Sequence, residues 1–575
     1  MRAKHSHRSR KADCVTHPGE KFYPEGVRWD APISRGTLPD LLAQSASDFG
    51  DRAAIEYRDK PISFVELKNM ADTAAAAFLN AGYGKGASVA LFLGNSPDHP
   101  VNFFGALKAG ARIVHLSPLD GAIALTHKLK DSGARILVTS NLSTLLPTAL
   151  KFFEAGLVDR LIVCEDQTWG DVGNPMTAIP QNPAIVSFKE FTKDAKAPSQ
   201  WPQISPDDIA LLQYTGGTTG LPKGAMLTHG NLTSGVSIYD VWSEPTRRER
   251  DQIERVILVL PLFHIFALTV VLLRCLKMGA LILLHQRFDL ETVMRDIEVK
   301  RATYLPGVPT MWIAIASLPD LDKRDFSSLA HAGSGGAPLP VEVAKIFERK
   351  TKLSLKSGWG MTETCSPGTG HPPAGPEKPG SIGLMLPGIE MDVVSLDDPK
   401  KVLPAGETGE IRIRGPNVTR GYWNREAETK ESFVGDRFLT GDIGYMDVDG
   451  YFFLVDRKKD MIISGGFNVY PQMIEQAIYT YPPVQEVLVI GVPDDYRGEA
   501  AKAFVTLRAD AKPFSIDELR AFLTGKIGKH ELPIAVEFMK ELPRTSVGKL
   551  SRHELRSQQR AHHQPQQKLA TGGRS

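Results

Sequence analysis

Residues 214–224 read Tyr214-Thr215-Gly216-Gly217-Thr218-Thr219-Gly220-Leu221-Pro222-Lys223-Gly224. Four glycines, three threonines and one lysine share these eleven positions, so the stretch has little side-chain surface to bury. It follows residues 208–213, where Ile209, Leu211 and Leu212 mark the end of a buried strand. A strand running into such a loop offers backbone N–H groups, hydroxyls and one cation to something anionic, and phosphate fits that cradle. The chain contains neither Gly-x-x-x-x-Gly-Lys-Ser/Thr nor a Gly-x-Gly-x-x-Gly opening a helix, so the two common phosphate loops are not what is written here. A flexible linker is the plainer reading. The apolar runs on either side, with Pro222 and Lys223 inside, argue against it.

Outward from the loop the chain alternates helix and strand patterns. Ser63-x-x-Glu66 is a capping box, and the stripe Leu67, Met70, Ala71, Ala74, Phe78 and Leu79 predicts a helix ending at Gly82. Strands are predicted over 88–93, 111–116, 134–140 and 157–164, with a helix over 98–109. Beyond the loop come strands 256–262, 280–285 and 303–308 and helices 289–298 and 341–350, while 165–206 reads as a surface excursion. Short apolar strands between helices mean βαβ units, so the fold class is α/β, a large body of mostly parallel, helix-covered sheets.

Near Val455 the pattern changes. Asp456-Arg457-Lys458-Lys459-Asp460 reads as a charged, exposed pivot, and strands 484–492, 501–508 and 534–538 with a helix over 516–524 make a small α+β unit. The expected domains are a basic flexible arm (1–34), a large N-terminal domain (35–456), a small mobile C-terminal lid (457–554) hinged near Lys459, and a disordered tail (555–575).

Composition sets outer limits. A chain of 575 residues, 42% hydrophobic and 23% charged, is ordinary globular material for two to four domains. A net charge of +2 makes no electrostatic case for nucleic acid and leaves a peripheral membrane contact open. Cys14, Cys164, Cys275 and Cys365 form no Cys-x-x-Cys pair, which argues against disulfides or zinc and fits a reducing cytoplasm. Residues 256–273 have the length and apolarity of a membrane span. Pro261 and His264 inside it, with Arg274 and Lys277 after it, favour a buried strand, a turn and a buried helix.

Further constellations join the loop. Gly358-Trp359-Gly360-Met361-Thr362-Glu363 sets an aromatic between glycines and a threonine before an acid, which lets a flat ring stack on backbone while Thr362 and Glu363 face phosphate and its metal. Thr440-Gly441-Asp442 puts a carboxylate on a tight turn, fit for vicinal hydroxyls. Pro543-Arg544-Thr545-Ser546-Val547-Gly548-Lys549 puts a lysine on a late loop. Alone, each is a turn or a solvated charge. In combination they resemble the acyl-adenylate-forming superfamily, which includes acyl-CoA synthetases, firefly luciferase and the adenylation domains of peptide synthetases. The resemblance spans residues 38–552, with 214–224, 261–266, Gly335-Gly336-Ala337-Pro338, 358–363, 440–442, 457–466 and 543–549 in the family's order. Trp359 stands where the family more often has Tyr.

The resemblance implies an AMP-forming acid–thiol ligase that uses ATP, Mg²⁺ and coenzyme A, working as a monomer or homodimer. A carboxylate attacks the α-phosphate to give acyl-AMP and pyrophosphate, then the coenzyme A thiol displaces AMP. It implies that Thr215, Gly216, Gly217, Thr218, Thr219, Gly220 and Lys223 hold the β- and γ-phosphates. Thr362 would meet the α-phosphate and Glu363 the metal, with Gly335, Gly336, Ala337, Trp359, Gly360 and Met361 around adenine. Asp442 and Arg457 would bind ribose, and Lys549 would bridge carboxylate and α-phosphate. Lys459 becomes the hinge and Ser464-Gly465-Gly466 the face offered to the thiol. The acyl pocket is expected at His264, Phe266, Val308, Gly333 and Gly358, with His264 at its mouth. Glycines at 333 and 358 leave a tunnel open, favouring a medium- or long-chain fatty acid. A dicarboxylate such as pimelate needs a cation at the far end, for which Arg274 and Lys277 are available; an aryl acid is a further alternative.

Transfer to a carrier protein and a luciferase-like oxygenase share the same adenylation motifs. The amino-acid-activating version is disfavoured, because His264 stands where such enzymes place Asp, and no downstream carrier domain is expected. Relatives with a segment like 543–549 are switched off by acetylating its lysine, which implies a protein lysine acetyltransferase acting on Lys549.

Overall fold

Ser63 opens a long helix as its sequence indicates. Its hydroxyl accepts the Glu66 N–H at 3.1 Å, the Glu66 carboxylate accepts the Ser63 N–H at 2.7 Å, and the helix runs over Phe64–Asn80. A computed structural model of the chain describes residues 17–215, 221–246, 252–337, 339–373, 377–494, 496–545 and 550–563. The helix Asp98–Lys108 lies against Phe64–Asn80. A Cβ on Gly105 would stand 2.6 Å from that of Ala74, so only glycine permits this approach.

Two large sheets flank these helices. One has seven strands in the order Ile185–Ser187, Arg160–Cys164, Ile136–Ser140, Ser88–Leu91, Arg112–His115, Ile209–Thr215, Lys223–Thr228. All its pairs are parallel except the last, a hairpin closed by the glycine-rich loop. The other is parallel through Ala53–Tyr57, Leu281–Leu284, Arg255–Leu258, Tyr304–Gly307, His331–Ser334 and Leu355–Trp359. It continues as antiparallel strands that include Arg437–Met446 and Tyr451–Arg457. One core joins Ile113 and Leu211 of the first sheet to Ile257 and Leu305 of the second, with Phe64, Phe78 and Phe103 of the helices. Past Ile462 a five-stranded sheet with helices Pro471–Tyr479 and Ile516–Leu523 forms a separate unit around its own core of Ile474, Val489 and Leu519.

Four expectations need correction. The arm expected to be flexible over 1–34 is fixed from residue 17 onward, because its aromatics pack on the body. His17 stacks on Trp29 with ring centroids 3.8 Å apart, and the Tyr23 hydroxyl donates to the Met385 carbonyl at 2.5 Å. Residues 1–16 lie outside the described residues. The pivot is exposed only in part: Lys458 and Lys459 are, but Asp456 and Asp460 are buried. Arg552 stands 3.4 Å from each of these carboxylates and 2.6 Å from Glu475, and Arg556 stands 2.7 Å from Asp460. Buried carboxylates need such cations, and the chain's last helix supplies them.

That helix is the third correction. Residues past Glu554, expected to be disordered, continue the helix Arg552–His563, pinned by the fully buried Leu555 and by Arg556; residues 564–575 lie outside the described set. The fourth concerns 256–273. Its strand stops at Leu258, and after a turn closed by the His264 N–H on Pro261 O at 2.9 Å, Phe266–Leu273 is a π-helix leading into the α-helix Arg274–Met278. Residues 267–273 are all buried, so no amphipathic period marks the pitch in the sequence. No helix among the described residues is long and apolar enough to cross a membrane.

Candidate active site

Parallel strands in an α/β sheet present their C-terminal ends to ligands. Here the turns after Arg255–Leu258, His331–Ser334 and Leu355–Trp359, and the hairpin after Ile209–Thr215, all open onto one cavity of about 1010 Å³. Thr215 and Lys223, paired across the hairpin, both line it. Gly216, Gly217, Thr218, Thr219 and Gly220 between them lie outside the described residues.

Glu363 sits on the single turn Thr362–Thr364. The chain doubles back so tightly here that a Cβ on Gly360 would fall 1.3 Å from the Ser366 carbonyl oxygen, while Cys365 and Ser366 take left-handed φ values of 52° and 95°. Glu363 is only 5% exposed and accepts the Tyr422 hydroxyl at 2.8 Å. Burial holds its carboxyl above the ordinary value, against the pull of that hydrogen bond. The sequence reading missed Tyr422, which lies 59 residues further on and carries no local signal beyond an aromatic pair after Gly421. Its ring also faces the Lys223 ammonium, 5.2 Å away. Two backbone bonds seam this segment to the hairpin, Met226 N–H to Gly421 O at 2.9 Å and Trp423 N–H to Gly224 O at 2.8 Å.

Asp442 and Arg457 face each other across an antiparallel pair, with carboxylate and guanidinium 2.5 Å apart. The Asp442 charge raises the Arg457 pKa. The other Asp442 oxygen accepts the Trp359 indole N–H at 2.7 Å. The Trp359 ring packs on Gly368, where a Cβ would come within 2.4 Å of it, so beside lining the cavity Trp359 serves Asp442 as a donor. Arg457 and Trp359 reach the cavity; Asp442 lies just behind them.

Gly335, Gly336, Gly360, Met361 and Thr362 line the cavity, as do His264, Phe266, Gly333 and Gly358. The Phe266 N–H points at His264 Nδ1, 3.3 Å away. Val308 and Ala337 are not brought to this wall, and Pro338 lies outside the described residues. From the C-terminal part of the chain, Lys459 and Thr545 reach the cavity. Ser464, Gly465 and Gly466 turn away from it, and Lys549 lies outside the described residues. The cavity continues past the loops at the strand ends along Phe266, Val270, Arg274 and Met278, four residues apart on the helical segment.

The chain is similar to known proteins. Residues 42–423 match the AMP-binding enzyme family and residues 473–549 the AMP-binding enzyme C-terminal domain. The long-chain-fatty-acid–CoA ligase of Bacillus subtilis (strain 168) is 36% identical over 94% of this chain and 98% of its own. The feruloyl-CoA synthase of an Amycolatopsis species is 36% identical over 88% and 95%. Among solved structures, an anthranilate CoA ligase in complex with anthranoyl-AMP superposes with a TM-score of 0.80 at 26% identity, covering 92% of this chain and 98% of that one. The o-succinylbenzoate CoA synthetase of Bacillus subtilis with ATP and magnesium gives 0.77 at 28% identity, over 91% and 100%. With a family match over more than half of its length, this chain belongs to the AMP-binding enzyme family, the acyl-adenylate-forming enzymes that its motifs resemble.

Proposed function

We propose that the protein is an ATP-dependent fatty-acid–CoA ligase. One observation carries the reading: a single cavity joins the nucleotide-motif residues at the strand ends to a channel running back under the same sheet past Phe266, Val270 and Met278. A carboxylate is inert to a thiol because its leaving group is oxide. Attack of its oxygen on the α-phosphate forms the new P–O bond as pyrophosphate departs, and the mixed anhydride then offers AMP as the leaving group when sulfur bonds to the acyl carbon.

The residues suit these steps. Lys223, held against Tyr422, stands at the hairpin end to neutralise departing pyrophosphate, and Thr362 meets the α-phosphate. Asp442 and Arg457 present their joined charges to the ribose. Glu363 is a buried carboxylate, and no group of three or more His, Cys, Asp or Glu among the described residues is placed to hold a metal by itself. That donor set fits magnesium delivered largely by phosphate oxygens, which would supply charge neutralisation at the phosphates. Lys459, at the cavity edge on the lid side, is our hinge, and Lys549 our bridge between carboxylate and α-phosphate.

The test is CoA-dependent AMP release from carboxylates running from acetate to palmitate, with benzoates and dicarboxylates, alongside pyrophosphate exchange. Turnover is expected to rise with chain length, and Lys459→Pro to spare exchange while thioester formation falls. AMP release confined to acetate or benzoates would sink the fatty-acid reading, and equal loss of both activities in Lys459→Pro would sink the hinge.

A further inference from the structure

The channel runs the length of the parallel sheet. Strands Arg255–Leu258, Leu281–Leu284, Tyr304–Gly307 and His331–Ser334 are four residues each, about 13 Å. Nucleotide-motif residues stand past their C-terminal ends, yet Glu254, Ala280, Tyr304 and His331, at or just before their N-terminal ends, line the same cavity. The helical face beside them travels the same way. Phe266 at one end lies within 3.0 Å of where a Gly335 Cβ would be; Arg274 at the other donates from Nη2 to the Ser243 hydroxyl at 2.9 Å.

Arg274 is out of place in a purely hydrocarbon channel. Its neighbours on the wall include Val256, Val270, Met278 and Ala280. Its Nε is buried with no hydrogen-bond partner, and its Nη2 has the Ser243 hydroxyl. Glu254 nearby is engaged by the Thr303 hydroxyl at 2.7 Å. Lys277, the other cation of this stretch, is exposed and does not line the channel, and Lys356, which does, faces Glu348 and Glu377. A methyl-ended tail would leave this partly buried guanidinium with only the Ser243 hydroxyl as partner, whereas a carboxylate takes its planar fork of N–H donors.

We propose that the distal end of the acyl channel is a carboxylate subsite with Arg274 as its specificity-determining residue, so that the preferred acids are α,ω-dicarboxylates. This rests on the acid–CoA ligase reading above.

The experiment measures kcat/KM for CoA-dependent AMP release by the full chain on matched pairs: octanoate and octanedioate, dodecanoate and dodecanedioate, hexadecanoate and hexadecanedioate. At the length that fills the channel the diacid is expected to exceed its monoacid by about tenfold or more. Arg274→Leu should reverse that order by lowering kcat/KM for the diacids, and Arg274→Lys should retain part of the diacid preference. Monoacids preferred at all three lengths, with the ratio unmoved by Arg274→Leu, would overturn this inference and leave the ligase reading standing. AMP release from none of the acids would overturn both. If Arg274→Leu does not fold, the wild-type ratios decide alone, and a ratio below one at every length overturns the subsite.

Discussion

The two ends of the cavity are built in opposite ways. At the nucleotide end Lys223, Glu363, Tyr422, Asp442 and Arg457 come from loops and strands far apart in the chain, and each is held by a partner from another segment: Tyr422 on Glu363, Arg457 and Trp359 on Asp442. At the end we assign to the acyl chain one helical face, residues 266, 270, 274 and 278, lies against the starts of four strands. Cross-linked groups cannot be altered singly without moving their partners, whereas a helical face can be exchanged residue by residue. Substitutions at the first end should therefore lower turnover by one factor for every acid, and substitutions at the second should redistribute turnover among acids.

The largest effect is expected at Gly360. An alanine Cβ would overlap the Ser366 carbonyl oxygen, 1.3 Å away, and relief requires moving the turn that carries Thr362 and Glu363. Gly360→Ala should cut AMP release more than about a hundredfold with octanoate and hexadecanoate alike, and lower stability by about 3 kcal/mol in urea unfolding. A loss that differs tenfold or more between the two acids would break the division between the ends.

The same division governs what the sequence discloses. Turn residues carry their geometry in their identity, so Gly360, Glu363, Asp442 and Arg457 stand out as short motifs, and the capping box at Ser63 marks its helix start. Pairings across the chain do not. Nothing near Tyr422 points to Glu363, and nothing near Trp359 points to its bond with Asp442, 83 residues on. The acyl face was hidden for another reason: with 267–273 buried on all sides, hydrophobicity has no period, and the π pitch that brings Val270 and Arg274 to the channel leaves no trace. Buried charge misled as well, since Asp456 and Asp460 look solvated until Arg552 and Arg556 arrive from the last helix.

A smaller, selective effect is expected at Val270, midway along the channel between Phe266 and Arg274. Val270→Trp fills space without touching the nucleotide loops. Activity on hexadecanoate should fall by about thirtyfold, while octanoate stays within about threefold of wild type. Equal loss on both acids would mean that the helical face also positions the reacting carboxyl, and the two ends would no longer be separable.

The smallest effect, and the sharpest probe of the nucleotide end, is Tyr422→Phe. Burial lifts the Glu363 carboxyl above its ordinary 4.5, and the Tyr422 hydroxyl, by bonding the ionised form, restrains that rise. Losing the hydroxyl lifts it further. Because the proposed role of Glu363 needs the carboxylate, the acid limb of kcat/KM should move to higher pH, with a loss of about tenfold below it and recovery towards wild type above it. The sign for stability follows from the same shift. A carboxyl with a folded pKa above its unfolded one binds a proton more readily when folded, so the ligand-free protein loses stability as pH rises from 4.5 through the raised value, and the variant extends that window upward. The limb should move equally for octanoate and hexadecanoate. A uniform loss at every pH would place the effect of Tyr422 on the Lys223 hairpin instead of on Glu363.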